Sequence, residues 1–228
     1  MSLTAVIPVR AGSRRMKNKN VAPFNGTTLL EHKIEVLKKV PEVDKIVVTS
    51  DSDEMLNLAK EHGALIHKRP DEYCDEVSKT YGEMIKYVCS QIEGDDILWT
   101  LCTTPLVYPS LYSDGIQTYY KVIKEGYDSL MSVSMFKHFV LDKNGPINFE
   151  FGVKQVPSQL LPEWYLSTSG IIMAPRKSMI AWSYHIGSKV YLYEVEKIAA
   201  VDVDDELDFI QAEAWLKSRP EIFECEVK

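Results

Sequence analysis

The 228 residues carry 26 Lys and Arg against 33 Asp and Glu, a formal net charge of −7, with 45% hydrophobic residues. That length and apolar share suffice for one sizeable buried core, and the acidic balance argues against a general binder of nucleic acid or anionic membrane. Cys74, Cys89, Cys102 and Cys225 stand apart with no CxxC pair, so they read as reduced thiols rather than a disulfide framework or zinc site.

No stretch approaches the ~20 apolar residues of a membrane span. The run over 3–9 is too short for a signal-peptide core and has no basic leader, so a single cytoplasmic domain over 1–228 is expected. That first run, with Val6, Ile7 and Val9 apolar in succession, reads as a buried strand. A polar loop follows over 10–20. Residues 28–39 read as a helix with Leu29, Ile34 and Leu37 on one face, 45–50 as a strand, and Asp53 as the cap of a helix that Gly63 ends. A strand at 65–67, a helix over 78–91 with Met84, Ile85 and Val88 inward, a strand at 96–101, a helix over 108–124 and a strand at 129–135 continue the alternation. Such alternation implies an α/β fold of three layers, a mostly parallel sheet built from βαβ units with helices on both faces. Between 136 and 166 the alternation breaks. Asn144-Gly145-Pro146, Pro157, Pro162 and the alternating Phe149 and Phe151 suggest an inserted arm. Strand character returns at 170–174 and 191–195, and 206–216 reads as a closing helix.

Ligands of open α/β sheets bind beyond the carboxyl ends of the strands. The loop directly after the first strand holds five cations in eleven positions (Arg10, Arg14, Arg15, Lys17, Lys19), beside a small-residue turn at Ala11-Gly12-Ser13. Small residues let backbone N–H groups approach phosphate oxygens, and Arg and Lys supply charge where it develops at phosphorus. A solvated basic loop is the plainer alternative. The loop is neither GxxxxGK[ST] nor GxGxxG. Asp202 and Asp204, two apart on an extended segment, share one face and suit Mg²⁺, which takes a few carboxylates plus substrate phosphates. Helix capping by Asp204 or Asp205 competes with that reading. Arg69 stands at a strand end, able to reach a ligand or to pair with Asp71 or Glu72. Thr80 opens a helix and is placed either to read a base edge or to cap. The five histidines show no metal-binding spacing, and GxSxG is absent.

Taken together these residues resemble the acylneuraminate cytidylyltransferases, the CMP-sugar synthetases. Ala5-Val6-Ile7-Pro8-Val9-Arg10-Ala11-Gly12-Ser13-Arg14, followed by Lys19-Asn20, is similar to the family signature IPARGGSKxxxxKN. Thr49-Ser50-Asp51, Arg69-Pro70, Thr103-Thr104-Pro105-Leu106 and Asp202-Val203-Asp204 through Leu207-Asp208 follow in the family's order. The resemblance implies a nucleotide-diphospho-sugar transferase-like fold and a cytidylyltransferase that joins CTP to a nonulosonic or ulosonic sugar acid, releasing pyrophosphate. It implies that Arg10 stabilises charge at the α-phosphorus and that Ala11, Gly12, Ser13, Arg14, Lys19 and Asn20 hold phosphates and ribose. By the same likeness Arg69 and Thr80 line the cytidine pocket, Leu101, Thr103 and Thr104 face the acceptor, and Asp202 and Asp204 bind Mg²⁺. The arm at 136–166 would then join a homodimer.

Leu101 and Val107 stand where the family pattern QPTSPLR has Gln and Arg, and Ser167 stands where RPNGAIY has Arg. Polar readout is where substrate discrimination comes from, so these departures leave the acceptor sugar open. Two other readings remain: a nucleotidylyltransferase for another sugar or an alcohol, and a non-catalytic nucleotide-binding subunit.

Overall fold

The computed structural model describes residues 1–12, 16, 18–75 and 77–224. The chain opens with β1 (Leu3–Pro8). A small hairpin, β2 (Pro23–Phe24) and β3 (Thr27–Thr28), leads into α1 (Leu29–Lys38), β4 (Lys45–Ser50), α2 (Asp53–Glu61) and β5 (Leu65–Lys68). Then come α3 (Tyr81–Gln91), β6 (Asp96–Trp99), α4 (Pro109–Lys124), β7 (Ser129–Phe136), β8 (Leu141–Asp142), β9 (Gly145–Pro146) and β10 (Trp164–Pro175). The chain finishes with α5 (Arg176–Trp182), β11 (Val190–Glu194), α6 (Glu206–Ser218) and α7 (Glu221–Glu224).

Seven strands form one sheet in the order β11-β7-β10-β6-β1-β4-β5. β10 runs antiparallel to both neighbours, and the other pairs are parallel. The expected three-layer, mostly parallel α/β fold is the one observed. Side chains of β1 alternate between two cores, as the period of a strand requires. Leu3, Ala5 and Ile7 join Leu30, Ile34 and Leu37 of α1, Met55 and Leu56 of α2, and Tyr112, Ile116 and Tyr119 of α4. Val6 faces the opposite way, toward Ile85 and Val88 of α3, Trp99 of β6 and Met179 of α5.

Local chemistry moves several expected boundaries. Ser52, not Asp53, caps α2: its hydroxyl accepts from the Met55 N–H, and Asp53 sits in the first turn. α3 begins at Tyr81 rather than at 78, because Asp75 accepts the N–H groups of Val77 and Ser78 and so holds that stretch in a turn. The arm is smaller than 136–166. Trp164, Tyr165 and Leu166 already pair with Phe136, Met135 and Ser134, so β10 starts earlier. Only 137–163 leave the sheet, and Phe149 and Phe151, the alternating pair that suggested an arm, lie within them outside any strand. Cys74, Cys89 and Cys102 are buried free thiols; Cys225 lies outside the described residues. Among the described residues no helix is long and apolar enough to cross a membrane.

A third apolar cluster seats α6: Phe24, Leu29, Leu106, Val203, Phe209, Ala212 and Leu216. Val203 is fully buried there, and its N–H donates to Thr103 O at 2.7 Å. Burying the central residue of Asp202-Val203-Asp204 sends both aspartates the other way, toward the carboxyl ends of β1 and β6.

Candidate active site

β1 lies between β4 and β6 at the point where the chain first winds to one side of the sheet and then to the other. Such a switch point opens a crevice between the strand ends. Here it is a cleft of about 550 Å³ lined by Val9, Arg10, Met16, Lys19, Asn20, Arg69, Tyr81, Leu101, Cys102, Thr103, Asp202 and Asp204 among others. Residues separated by nearly two hundred positions thus line one space, the cations Arg10, Lys19 and Arg69 together with the carboxylates Asp202 and Asp204.

Arg10 and Arg69 both hold the segment after β5. Arg10 Nη1 donates to Cys74 O at 3.1 Å, and Arg69 Nε donates to Cys74 Sγ at 2.9 Å. Arg69 also donates to Val9 O at 2.8 Å and is only 3% exposed. Its guanidinium donates to a carbonyl and two sulfurs, Val9 O, Cys74 Sγ and Met84 Sδ, where the sequence had suggested Asp71 or Glu72. Its charge is therefore carried into the cleft by neutral groups. Lys19 Nζ bridges across the cleft, donating to Val203 O and to Asp204 Oδ1, the latter at 3.3 Å. Asn20 accepts from Cys102 Sγ at 3.1 Å and donates to Arg10 O at 3.5 Å.

Asp205 takes the capping duty that competed with the acidic-pair reading. It accepts from the N–H groups of Leu207 and Asp208, while Asp208 accepts from the N–H groups of Asp204 and Asp205. Asp202 Oδ1 is buried and has no hydrogen-bond partner among the described residues. Burial pushes the Asp202 carboxyl up from its ordinary range; Thr103 pulls it back, and neighbouring Asp204 pushes it up again. A buried carboxylate oxygen without a partner is costly unless a cation or donor joins it.

Other expected residues stand elsewhere. Thr80 is not on the cleft wall. It is the N-cap of α3, in a reciprocal capping box with Glu83, and Tyr81 lines the cleft in its place. Thr104 is fully buried, its hydroxyl donating to Leu101 O at 2.8 Å, so it shapes the turn instead of facing the space. Ala11 and Gly12 are exposed beside the cleft. The Ala11 N–H donates to Asp51 at 2.9 Å, and Gly12 adopts a φ of 73° that favours glycine. Ser13 and Arg14 lie outside the described residues. Val107 is 1% exposed and presses on Gly170, where a Cβ would come within 2.8 Å of it. That packing has no room for an arginine. Ser167 is exposed, its hydroxyl 3.4 Å from Met131 Sδ.

Lys33 and Tyr81 were not foreseen. Tyr81 is a plain aromatic one place after a polar residue, and nothing in its spacing marks it. Lys33 lies on the buried side of α1 and is fully enclosed, which its place between Leu30 and Ile34 in the helical period could have signalled. Burial pushes its ammonium down to about 7, with Cys102 and Asp202 opposing the fall. Free lysine titrates near 10.4, so between these values the unfolded chain binds more protons and stability rises with pH. In urea unfolding from pH 7 to about 8.5, below the range where free thiols ionise, the native protein is expected to gain stability relative to Lys33→Met. Parallel curves would overturn the assignment.

A three-layer sheet with a polyphosphate-sized cleft between cations and paired carboxylates defines a nucleotide-handling α/β protein. The family described as Cytidylyltransferase matches residues 4–207, and the chain belongs to it. N-acylneuraminate cytidylyltransferase A of Danio rerio is 25% identical over 96% of this chain and 54% of its own length. The enzyme of the same name from Escherichia coli O18:K1:H7 is 23% identical over 91% of this chain and 50% of its own. The chain thus spans about half the length of the curated relatives it matches. Among solved structures, a CMP:2-keto-3-deoxy-manno-octonic acid synthetase complexed with CTP shares the fold at TM-score 0.71 and 14% identity, covering 96% of this chain and 100% of the other.

Proposed function

We propose that the chain transfers the cytidylyl group of CTP to a nonulosonic or ulosonic sugar acid, giving a CMP-sugar and pyrophosphate. One observation supports this reading above the others: Arg10, Lys19 and Arg69 share a cleft with Asp202 and Asp204. An acceptor hydroxyl oxygen bonds to the α-phosphorus as the bond to the β-phosphate oxygen breaks and pyrophosphate leaves. The work left to the protein is positioning and charge stabilisation. Arg10, at the carboxyl end of β1, neutralises the charge that gathers on the α-phosphoryl oxygens. Arg69 fixes the nucleotide side of the cleft, and Lys19 holds the acidic edge closed against the loop.

Asp202 and Asp204 fit Mg²⁺: one buried oxygen of Asp202 has no partner among the described residues, and both carboxylates face the same space. When bound there, the ion would draw charge from the phosphate oxygens.

Leu101, the buried Val107 and the exposed Ser167 give the acceptor side few charged groups, which favours a second reading, a nucleotidylyltransferase for another sugar or an alcohol. The protein with Mg²⁺, CTP and a panel of 2-keto sugar acids is expected to release pyrophosphate, and at least tenfold less with ATP, GTP or UTP. Turnover only on neutral sugars or alcohols favours the second reading. CTP binding with no turnover on any acceptor overturns both and leaves a nucleotide-binding subunit.

The apolar surface where the arm meets the sheet edge supports a homodimer. Val140, Trp164, Tyr165, Leu166 and Leu192 surround an open groove there, with Leu166 53% exposed.

A further inference from the structure

A lysine wholly enclosed in a core is rare unless its charge has a task. Lys33 Nζ donates to Thr104 O at 2.8 Å and to Tyr112 Oη at 2.6 Å, approaches Thr104 Oγ1 at 3.4 Å, and lies 5.0 Å from the centre of the Tyr112 ring. No carboxylate is among these contacts. Tyr112 Oη in turn shares a 2.7 Å bond with Thr100 Oγ1. The ammonium therefore ties α1 and α4 to both ends of the turn from Thr100 to Thr104. His32, its neighbour on α1, meets the next carbonyl, Pro105 O, at 2.9 Å, and burial pushes this imidazole down to about 4, so it is neutral. Two consecutive residues of one helix thus grip two consecutive carbonyls of one turn.

That turn presents Leu101, Cys102 and Thr103 to the cleft. Thr103 O receives the Val203 N–H at 2.7 Å, and the Thr103 side chain stabilises the Asp202 carboxylate. A leucine would fill the position of Lys33 in the helix, but it would offer Thr104 O no hydrogen.

We infer that Lys33 is a positioning residue: from beneath the cleft it fixes the turn from Thr100 to Thr104 and, through Thr103, the Asp202 edge. The inference rests on the proposed nucleotide site. It predicts a defect in metal use rather than in folding.

In the full chain, Lys33→Met keeps length and volume and removes a buried charge, so its Tm is expected to stay within a few degrees of wild type. Calorimetric titration with CTP is expected to give a Kd within about twofold of wild type without Mg²⁺. The Mg²⁺ concentration that half-saturates the tightening of CTP binding is expected to rise about tenfold, the scale seen when an outer-shell partner of a metal ligand is removed. kcat is expected to fall by a similar factor while the KM for CTP changes little. Lys33→Gln, which keeps an N–H donor, is expected to lie between the two, and it serves the same comparison where the methionine variant does not fold. Wild-type half-saturation in either folded variant overturns the inference. Failure of the wild-type protein to release pyrophosphate overturns the transferase reading alone, because the binding titration still reports on Lys33.

Discussion

Arg10→Ala is expected to lower kcat/KM for pyrophosphate release by about 10² to 10³, the range found when one donor to a developing anion is removed from a preorganised site. The side chain is half-buried at the carboxyl end of β1, outside the apolar clusters, and its described hydrogen bond goes to Cys74 O. Loss of the bond to the Cys74 carbonyl costs about 1 kcal/mol, and the side chain packs in none of the apolar clusters, so Tm is expected to shift by only a few degrees. Arg10→Lys restores the charge without the planar fork and is expected to recover part of the rate. A continuous pyrophosphate assay over CTP concentrations from below to above KM separates the outcomes. Activity within twofold of wild type in the alanine variant removes Arg10 from the chemistry and leaves it a role in bracing the loop at Cys74.

The fold was largely legible because burial on both faces of a central strand forces a continuous apolar run, and β1 has one. The acidic pair was legible for the same kind of reason: Val203 between Asp202 and Asp204 announces an extended segment with one face buried. What stayed hidden depends on residues distant in sequence. Arg69 had carboxylates two and three places away yet turns to Val9 and Cys74, because β1 and the turn after β5 close around it. The inward face of Thr104 is set by Lys33, 71 positions earlier. β10 was misjudged because antiparallel pairing with β7 is a long-range event, and 164–166 have no apolar period of their own to reveal it.

Asp202→Asn is expected to make the metal-free protein more stable at neutral pH while removing most of the Mg²⁺-supported activity. Burial and the charge of Asp204 raise the folded-state pKa of Asp202. Its folded form therefore holds a proton that the unfolded chain has already released, and stability falls as pH rises from the ordinary aspartate range through the raised value. Above that window the native protein keeps an ionised carboxylate with one oxygen buried and unmatched. Asparagine keeps the shape and removes the charge, so the Tm of the variant should gain on that of the native protein as pH is raised from 4 to 7. In the proposed site the same unmatched oxygen is what Mg²⁺ would engage, so half-saturating Mg²⁺ is expected to rise at least about tenfold. Asp204→Asn makes a useful contrast. Asp204 already receives Lys19 at 3.3 Å, so neutralising it loosens the clamp between loop and acidic edge and brings no comparable gain in stability. An Asp202→Asn protein with the wild-type Mg²⁺ requirement and the wild-type dependence of Tm on pH would show that this carboxylate is neither strained nor a ligand, and the metal would have to be sought elsewhere. A stabilised variant that has lost metal-dependent turnover is the pattern left when an active site holds a charge that the fold alone does not favour.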